Sequence, residues 1–107
     1  MPAPTSLGTN DLMILLALMR LGDDAYGVPI AREIEATVGR PVALASVYAT
    51  LERLVERGLV ESELGEPTAE RGGRAKKYFR LTGKGLREVR SAKQSLVKLW
   101  KGLPQLG

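Results

Sequence analysis

The chain of 107 residues contains neither cysteine nor histidine. Without cysteine it has no disulfide framework and no thiolate nucleophile. Without histidine it lacks the commonest metal ligand and the usual general base near neutral pH. Its acidic residues are scattered along the sequence rather than paired. We therefore expect a protein that is not an enzyme and that holds no cofactor and no metal.

Long apolar runs are also scarce. The longest run, LMILLALM at residues 12–19, is far shorter than the roughly 20 residues that span a bilayer. Asp11 precedes this run where a signal peptide would carry a basic residue, and no small-residue cleavage site follows it. We expect a cytoplasmic protein that has no membrane partner.

Positive charge is concentrated in the second half of the chain. The net charge is +4, but residues 1–39 sum to −3, whereas residues 66–81 sum to +3 and residues 82–107 to +5. A basic second half is compatible with an anionic partner. The length of the chain fits one domain with a modest core.

The first half of the chain predicts three helices. Residues 1–8, with two prolines, are expected to form a flexible N-terminal arm. A first helix, capped by Thr9, covers residues 9–21 and is apolar on nearly every side. A second helix begins near Pro29, and a third covers residues 45–57 after a short extended piece.

The second half predicts a hairpin and a last helix. One strand follows Gly58 and another covers residues 76–82, with a long basic loop between them. Thr82 is expected to cap a helix that ends near Gly102. The predicted fold is mainly α with a small β-hairpin. A winged helix-turn-helix, a C-terminal dimerisation helix and a tail are expected over residues 9–81, 82–103 and 104–107.

The third helix, at the start of the stretch ASVYATLERLVERGLVE, has a small and barely polar exposed face. The major groove of DNA admits a helix when the approaching side chains are small or able to hydrogen-bond. Alanines and a serine permit close approach, while a threonine and an arginine can bond base edges or phosphates. On composition alone, an ordinary amphipathic helix is an equal alternative. The candidate residues are Ala45, Ser46, Tyr48, Ala49, Thr50 and Arg53.

The hairpin loop places several cations beside two adjacent glycines, a combination suited to phosphates or to a minor groove. A solvated turn is the alternative, but the position of this loop after the third helix favours nucleic acid. The sequence therefore predicts double-stranded DNA as partner. A winged helix that docks a protein partner is the rival interpretation. The loop cations are Arg71, Arg74, Lys76 and Lys77.

The first and last helices predict a homodimer. Apolar positions on the last helix follow spacings of 3, 4, 3 and 4 residues, which is typical of a helix that pairs with another. The first helix is more apolar than one small domain can cover. Two third helices would then contact half-sites about one DNA turn apart. The predicted interface is formed by Leu12, Leu15, Leu16, Met19, Val89, Ala92, Leu96, Leu99 and Leu103.

Trp100, the only tryptophan, stands beside this apolar seam. Interface packing is the simpler role for it. The alternative is that two such rings, together with Leu96, line a cavity between subunits that takes a small, flat aromatic effector.

Four stretches together resemble the PadR family of bacterial transcriptional regulators. They are LGTNDLMILLAL at 7–18, AYGVPIAREIE at 25–35, SVYATLERLVERGLVES at 46–62 and GGRAKKYFRLTGKG at 72–85. The resemblance implies a winged-helix dimer, usually a repressor, of the small type with one C-terminal helix. The third helix would enter the major groove and the wing would touch the flanking backbone. By position, DNA contacts would come from Tyr26, Ser46, Tyr48, Thr50, Arg53, Arg74 and Lys76.

Two positions qualify this resemblance. The family usually has proline where this chain has Ala49. Proline early in a helix fixes how the chain enters it, whereas alanine keeps the helix without that constraint. The fold is therefore expected to be the same, and the docking angle on DNA is left open. Some small members resemble multidrug sensors with an interfacial tryptophan, the role that Trp100 would take.

Overall fold

The structure, a computed structural model, describes residues 7–65 and 76–104. These residues form the predicted mainly helical fold with a small antiparallel hairpin. Most of the predicted arm, the loop cations Arg71 and Arg74, and the end of the tail lie outside the described residues. The elements are α1 (Thr9–Leu21), a 3-10 turn (Gly22–Asp24), α2 (Gly27–Val38), α3 (Leu44–Glu56), β1 (Val60–Leu64), β2 (Lys77–Leu81) and α4 (Gly83–Trp100).

Helix ends agree with the sequence in part. Thr82 caps α4 as predicted, because its Oγ1 accepts a hydrogen bond of 3.0 Å from the Gly85 N–H. Thr9, however, is the first residue of α1 and not its cap. The chain enters α1 through Gly8, whose N–H donates to Asp11 Oδ2 at 3.0 Å. Ala43, in the short extended piece predicted before α3, has an extended backbone with φ −70° and ψ 129°, and the piece is not part of a strand.

The core lies where α1, α2 and α3 meet the hairpin. Leu15, Ile30 and Leu51, one from each helix, are fully buried together in it. The hairpin contributes Phe79, whose N–H also donates to the Ala25 carbonyl at 2.8 Å. That bond ties the wing to the segment before α2. β1 and β2 pair antiparallel with Ser62 opposite Phe79.

Helix α4 is attached to the end of α3 and then leaves the body of the protein. The Thr82 hydroxyl donates to the Gly58 carbonyl at 2.6 Å. A Cβ at Gly85 would collide with the Leu59 carbonyl, so only glycine allows this close approach. Every residue from 93 to 100 is exposed. The described part of the chain therefore leaves the second half of α4 open, most of all at Leu99 and Trp100.

The position of α1 corrects part of the predicted dimer interface. Because α1 lies between α2, α3 and the hairpin, Leu15 is buried within its own protomer, and so is Val89 in the second turn of α4. These two residues are not available to a second chain. The other predicted interface residues are exposed or half-buried: Leu12, Leu16, Met19, Ala92, Leu96, Leu99 and Leu103.

Within the described residues, no helix has both the length and the apolar character needed to cross a membrane.

Candidate nucleic-acid interface

The solvent face of α3 has two different halves. In the first half Ala45, Ser46 and Ala49 are exposed, as predicted. In the second half Glu52 and Glu56 share that face, which the sequence analysis missed. Their spacing from the alanines, i+7 and i+11 from Ala45, places them on the same side of a helix. The small, uncharged part of the face is therefore its N-terminal half.

Thr50 does not lie on the solvent face, contrary to the prediction. The residue is only 6% exposed, because the N-terminal part of α1 packs against this side of α3. Its Oγ1 accepts a hydrogen bond from Arg53 Nη2 at 3.3 Å. Thr50 therefore anchors one guanidinium nitrogen of Arg53 to α3.

A buried carboxylate from α1 meets the same arginine. Asp11 is 9% exposed, and its Oδ1 lies 3.7 Å from Arg53 Nη2. Its Oδ2 lies 3.8 Å from Arg57 Nη1. Asp11 thus stands between two cations that are one turn apart on α3. The Arg53 side chain remains 64% exposed, so its outer part is open to a ligand.

The start of α3 has no side-chain cap. Its cap position is Ala43, which offers no side-chain acceptor to the N–H groups of the first turn. Ser46 and Arg40 lie at an open cleft of about 530 Å³ between this end of α3, α1 and α2. Uncapped N–H groups at a helix start favour an anionic acceptor such as a phosphate.

Tyr48 marks the other edge of the α3 face. The Tyr48 ring packs against Gly27, the first residue of α2, where a Cβ would overlap the ring. The ring centroid also lies 6.4 Å from that of Phe79 in β2. Tyr48 therefore joins α3 to α2 and to the wing.

The base of the wing brings together Tyr26 and Lys76, which both belong to the predicted DNA-binding set. Lys76 Nζ donates to the Tyr26 hydroxyl at 3.2 Å and stands 4.3 Å from the ring centroid, a cation–π contact. Tyr78 packs edge-on against Tyr26 at 5.4 Å between centroids. Lys77, the first residue of β2, is exposed. A cationic amine is thus held at a defined place beside the α3 face.

No group of three or more acidic residues in the described ranges is placed to hold a metal ion. The surface has three parts. Arg57 and Arg53 lie at one edge, the small first half of α3 lies in the middle, and Tyr48, Tyr26 and Lys76 lie at the other edge.

A helix with a small exposed face, held on two other helices beside a two-stranded wing, defines a winged helix-turn-helix protein. The sequence matches the family described as transcriptional regulator PadR-like over residues 15–91, and the chain belongs to that family. It is a transcription regulator of the DNA-binding type.

Solved structures support this assignment. A PadR-like transcription factor from Bacteroides fragilis is 28% identical, with a TM-score of 0.72 and coverage of 86% of this chain and 84% of that chain. A PadR family regulator from Clostridium difficile R20291 is 26% identical, with a TM-score of 0.75 and coverage of 88% and 93%. One from Eggerthella lenta is 28% identical, with a TM-score of 0.69 and coverage of 87% and 79%. No curated protein matches the chain significantly.

Proposed function

We propose that this protein is a homodimeric repressor that acts in the cytoplasm and binds a pseudo-palindromic operator. The observation that carries the proposal is the N-terminal half of α3. Its exposed side chains are uncharged, and those of Ala45, Ser46 and Ala49 are small. Cationic side chains stand at both edges, Arg53 on one side and Lys76 on the other. This half of α3 enters the major groove, where recognition helices contact base edges with their first turns.

The proposed contacts divide by chemistry. Ala45, Ser46 and Ala49 face the bases, and Arg53 donates to a guanine edge. Tyr26, Tyr48, Lys76 and Lys77 contact the flanking backbone from the wing side. Arg71 and Arg74 remain predicted wing contacts outside the described residues. Glu52 and Glu56 keep the second half of α3 away from phosphates, because like charges repel.

The dimer is proposed from uncovered apolar side chains. Leu99 is 75% exposed and Trp100 is 69% exposed on the free part of α4, and Leu16 and Met19 are exposed on α1. A second copy of the chain covers them around a two-fold axis. Two copies of α3 then contact half-sites about one helical turn apart, or roughly 34 Å.

The same proposal includes relief of repression by a small, flat aromatic effector. Trp100 and Leu96 are both exposed on the part of α4 that the partner would cover. Two tryptophan rings brought together there offer faces on which an aromatic ligand stacks. A ligand that favours one spacing of the two subunits changes the distance between the two copies of α3.

The experiment compares DNA sequences. The purified protein is bound to its own upstream DNA and to random duplexes of equal length at about 150 mM salt, where screening is physiological. A parallel selection from random duplexes finds an operator that lies elsewhere. We expect a palindromic consensus bound roughly a thousandfold tighter than random DNA. Equal, weak binding together with no selected consensus contradicts the proposal and favours a surface that docks protein.

A further inference from the structure

We propose that Asp11, a residue of α1, positions Arg53 of α3 for reading bases. This inference rests on the proposed function, since it concerns how the recognition surface is prepared before DNA binds. Asp11 itself is nearly buried and is not expected to touch DNA. Its effect is exerted through the arginine.

The geometry gives Arg53 two anchors on one nitrogen. Nη2 donates to Thr50 Oγ1 at 3.3 Å and lies 3.7 Å from Asp11 Oδ1. Both contacts use the same arm of the guanidinium fork, so Nη1 and Nε are not engaged by them. A planar fork held by one arm presents its other donors in a defined direction, which suits bidentate recognition of a base edge.

Asp11 also controls the charge around the arginine. Arg53 and Arg57 are one helical turn apart, an arrangement in which like charges repel. The carboxylate lies between them, 3.7 Å from one guanidinium and 3.8 Å from the other. It offsets this repulsion and restricts the rotamers of both side chains. A restricted side chain loses less conformational entropy when it binds.

The carboxylate is itself fixed. Asp11 Oδ2 accepts the Gly8 N–H at 3.0 Å. Because Asp11 is only 9% exposed, little water competes for this hydrogen bond. Asparagine at this position keeps an oxygen that can accept the Gly8 N–H but removes the charge. Asp11→Asn therefore separates the helix-start role of the side chain from its role toward the arginines.

The test is a double-mutant cycle on DNA binding. The probes are a duplex selected by the wild-type protein and a random duplex of equal length, and the readout is the ratio of the two affinities. We expect Asp11→Asn to lower this ratio about tenfold, which is part of the discrimination that a bidentate arginine supplies. In an Arg53→Ala background the same substitution leaves the ratio unchanged, because its effect passes through Arg53.

Glu33→Gln is the matched control. Glu33 also pairs with an arginine, Arg20, at 2.7 Å, but the pair joins α1 to α2 and does not involve α3. The substitution removes the same formal charge and an ion pair, and we expect it to leave the affinity ratio unchanged. If Asp11→Asn does not fold, Asp11→Ser, whose hydroxyl also accepts an N–H, enters the same cycle.

The outcomes are distinguishable. A ratio that is unchanged or increased by Asp11→Asn overturns the inference, as does an equal loss in the presence and absence of Arg53. In either case the selected consensus and the proposed function stand. A wild-type protein that selects no consensus contradicts the proposed function itself, and the inference falls with it.

Discussion

Tyr48 of α3 packs against Gly27 of α2 so closely that a Cβ at Gly27 would overlap the tyrosine ring. Gly27 is the first residue of α2 and Tyr48 is in the second turn of α3, so this contact sets how the two helices of the helix-turn-helix approach each other. The same ring borders Phe79 of the wing. In the proposed complex, the angle at which α3 meets DNA therefore depends on the absence of a side chain at Gly27.

Replacement of Gly27 by alanine is expected to displace the Tyr48 ring. Overpacking of this kind costs about 1 to 3 kcal/mol of unfolding free energy. The displaced ring also changes the direction of α3, so affinity for a selected duplex falls more than affinity for random DNA. Thermal unfolding and binding to both duplexes measure the two effects.

Gly83→Ala is the control for this substitution. Gly83 is also the first residue of a helix, α4, but a Cβ there meets Arg87 Nη1 at an ordinary 3.5 Å. We expect this variant to be as stable as the wild type or slightly more stable, because alanine loses less backbone entropy on folding. Equal destabilisation by both substitutions would contradict a specific Gly27–Tyr48 contact.

Lys76→Ala is expected to flatten the salt dependence of DNA binding. Each phosphate contact that is lost reduces the slope of log affinity against log salt by about 0.9. Lys76 is suited to such a contact because the Tyr26 hydroxyl and ring hold its amine in place. Binding to a random duplex is titrated across salt concentrations for the wild type and the variant.

Lys98→Ala serves as the comparison for Lys76→Ala. Lys98 is an exposed cation of α4, beyond the part of that helix that packs on the body of the protein. The substitution changes the net charge equally but should leave the salt slope as it is. An unchanged slope for Lys76→Ala would mean that the base of the wing does not touch DNA.

Local signals predicted much of the fold. Thr82 before a glycine-led helix has the capping chemistry that the structure shows, and Gly58 ends α3 with a φ of +77°. The extent of α1 was predicted, but its cap was not: the Gly8 carbonyl accepts the Leu12 N–H at 3.0 Å, so Thr9 is already inside the helix, and the Asp11 side chain accepts the Gly8 N–H at 3.0 Å. Both outcomes depend on hydrogen bonds within a few residues of the helix end.

The candidate site was less accessible to sequence reasoning. Glu52 and Glu56 were detectable, since their helical spacing places them beside Ala45 and Ala49. The burial of Thr50 was not, because it depends on where α1 crosses α3. The contact between Asp11 and Arg53 likewise joins residues far apart in the sequence, and no local pattern indicates it.

Glu33 is expected to contribute stability at neutral pH that is lost in acid. A hydrogen bond from Arg20, assisted by one from Thr37, lowers the pKa of the Glu33 carboxyl from its ordinary value of 4.5. A lowered pKa in the folded state contributes stability above the unfolded-state value, and this contribution is lost as pH falls through the folded-state value. The stability difference between wild type and Glu33→Gln should therefore be present at pH 7 and disappear in acid. Because the pair is exposed, the difference should also shrink in high salt. Urea unfolding across this pH range measures it, and a pH-independent difference would contradict the assignment.

Leu99→Glu is expected to convert the proposed dimer to monomers. Leu99 is 75% exposed in the protomer, so a glutamate there leaves the fold of a single chain intact. In a dimer the same glutamate would be buried without a partner, at a cost of several kcal/mol. Sedimentation at micromolar concentration should show a single chain. Trp100, the only tryptophan, should emit at longer wavelength as its ring becomes exposed to water. Operator affinity should fall because only one α3 engages at a time.

Gln94→Glu introduces the same side chain on the opposite side of α4, among Arg90, Lys98 and Lys101. That variant should remain dimeric with unchanged tryptophan emission. A dimeric Leu99→Glu variant would show that the second copy of the chain binds elsewhere.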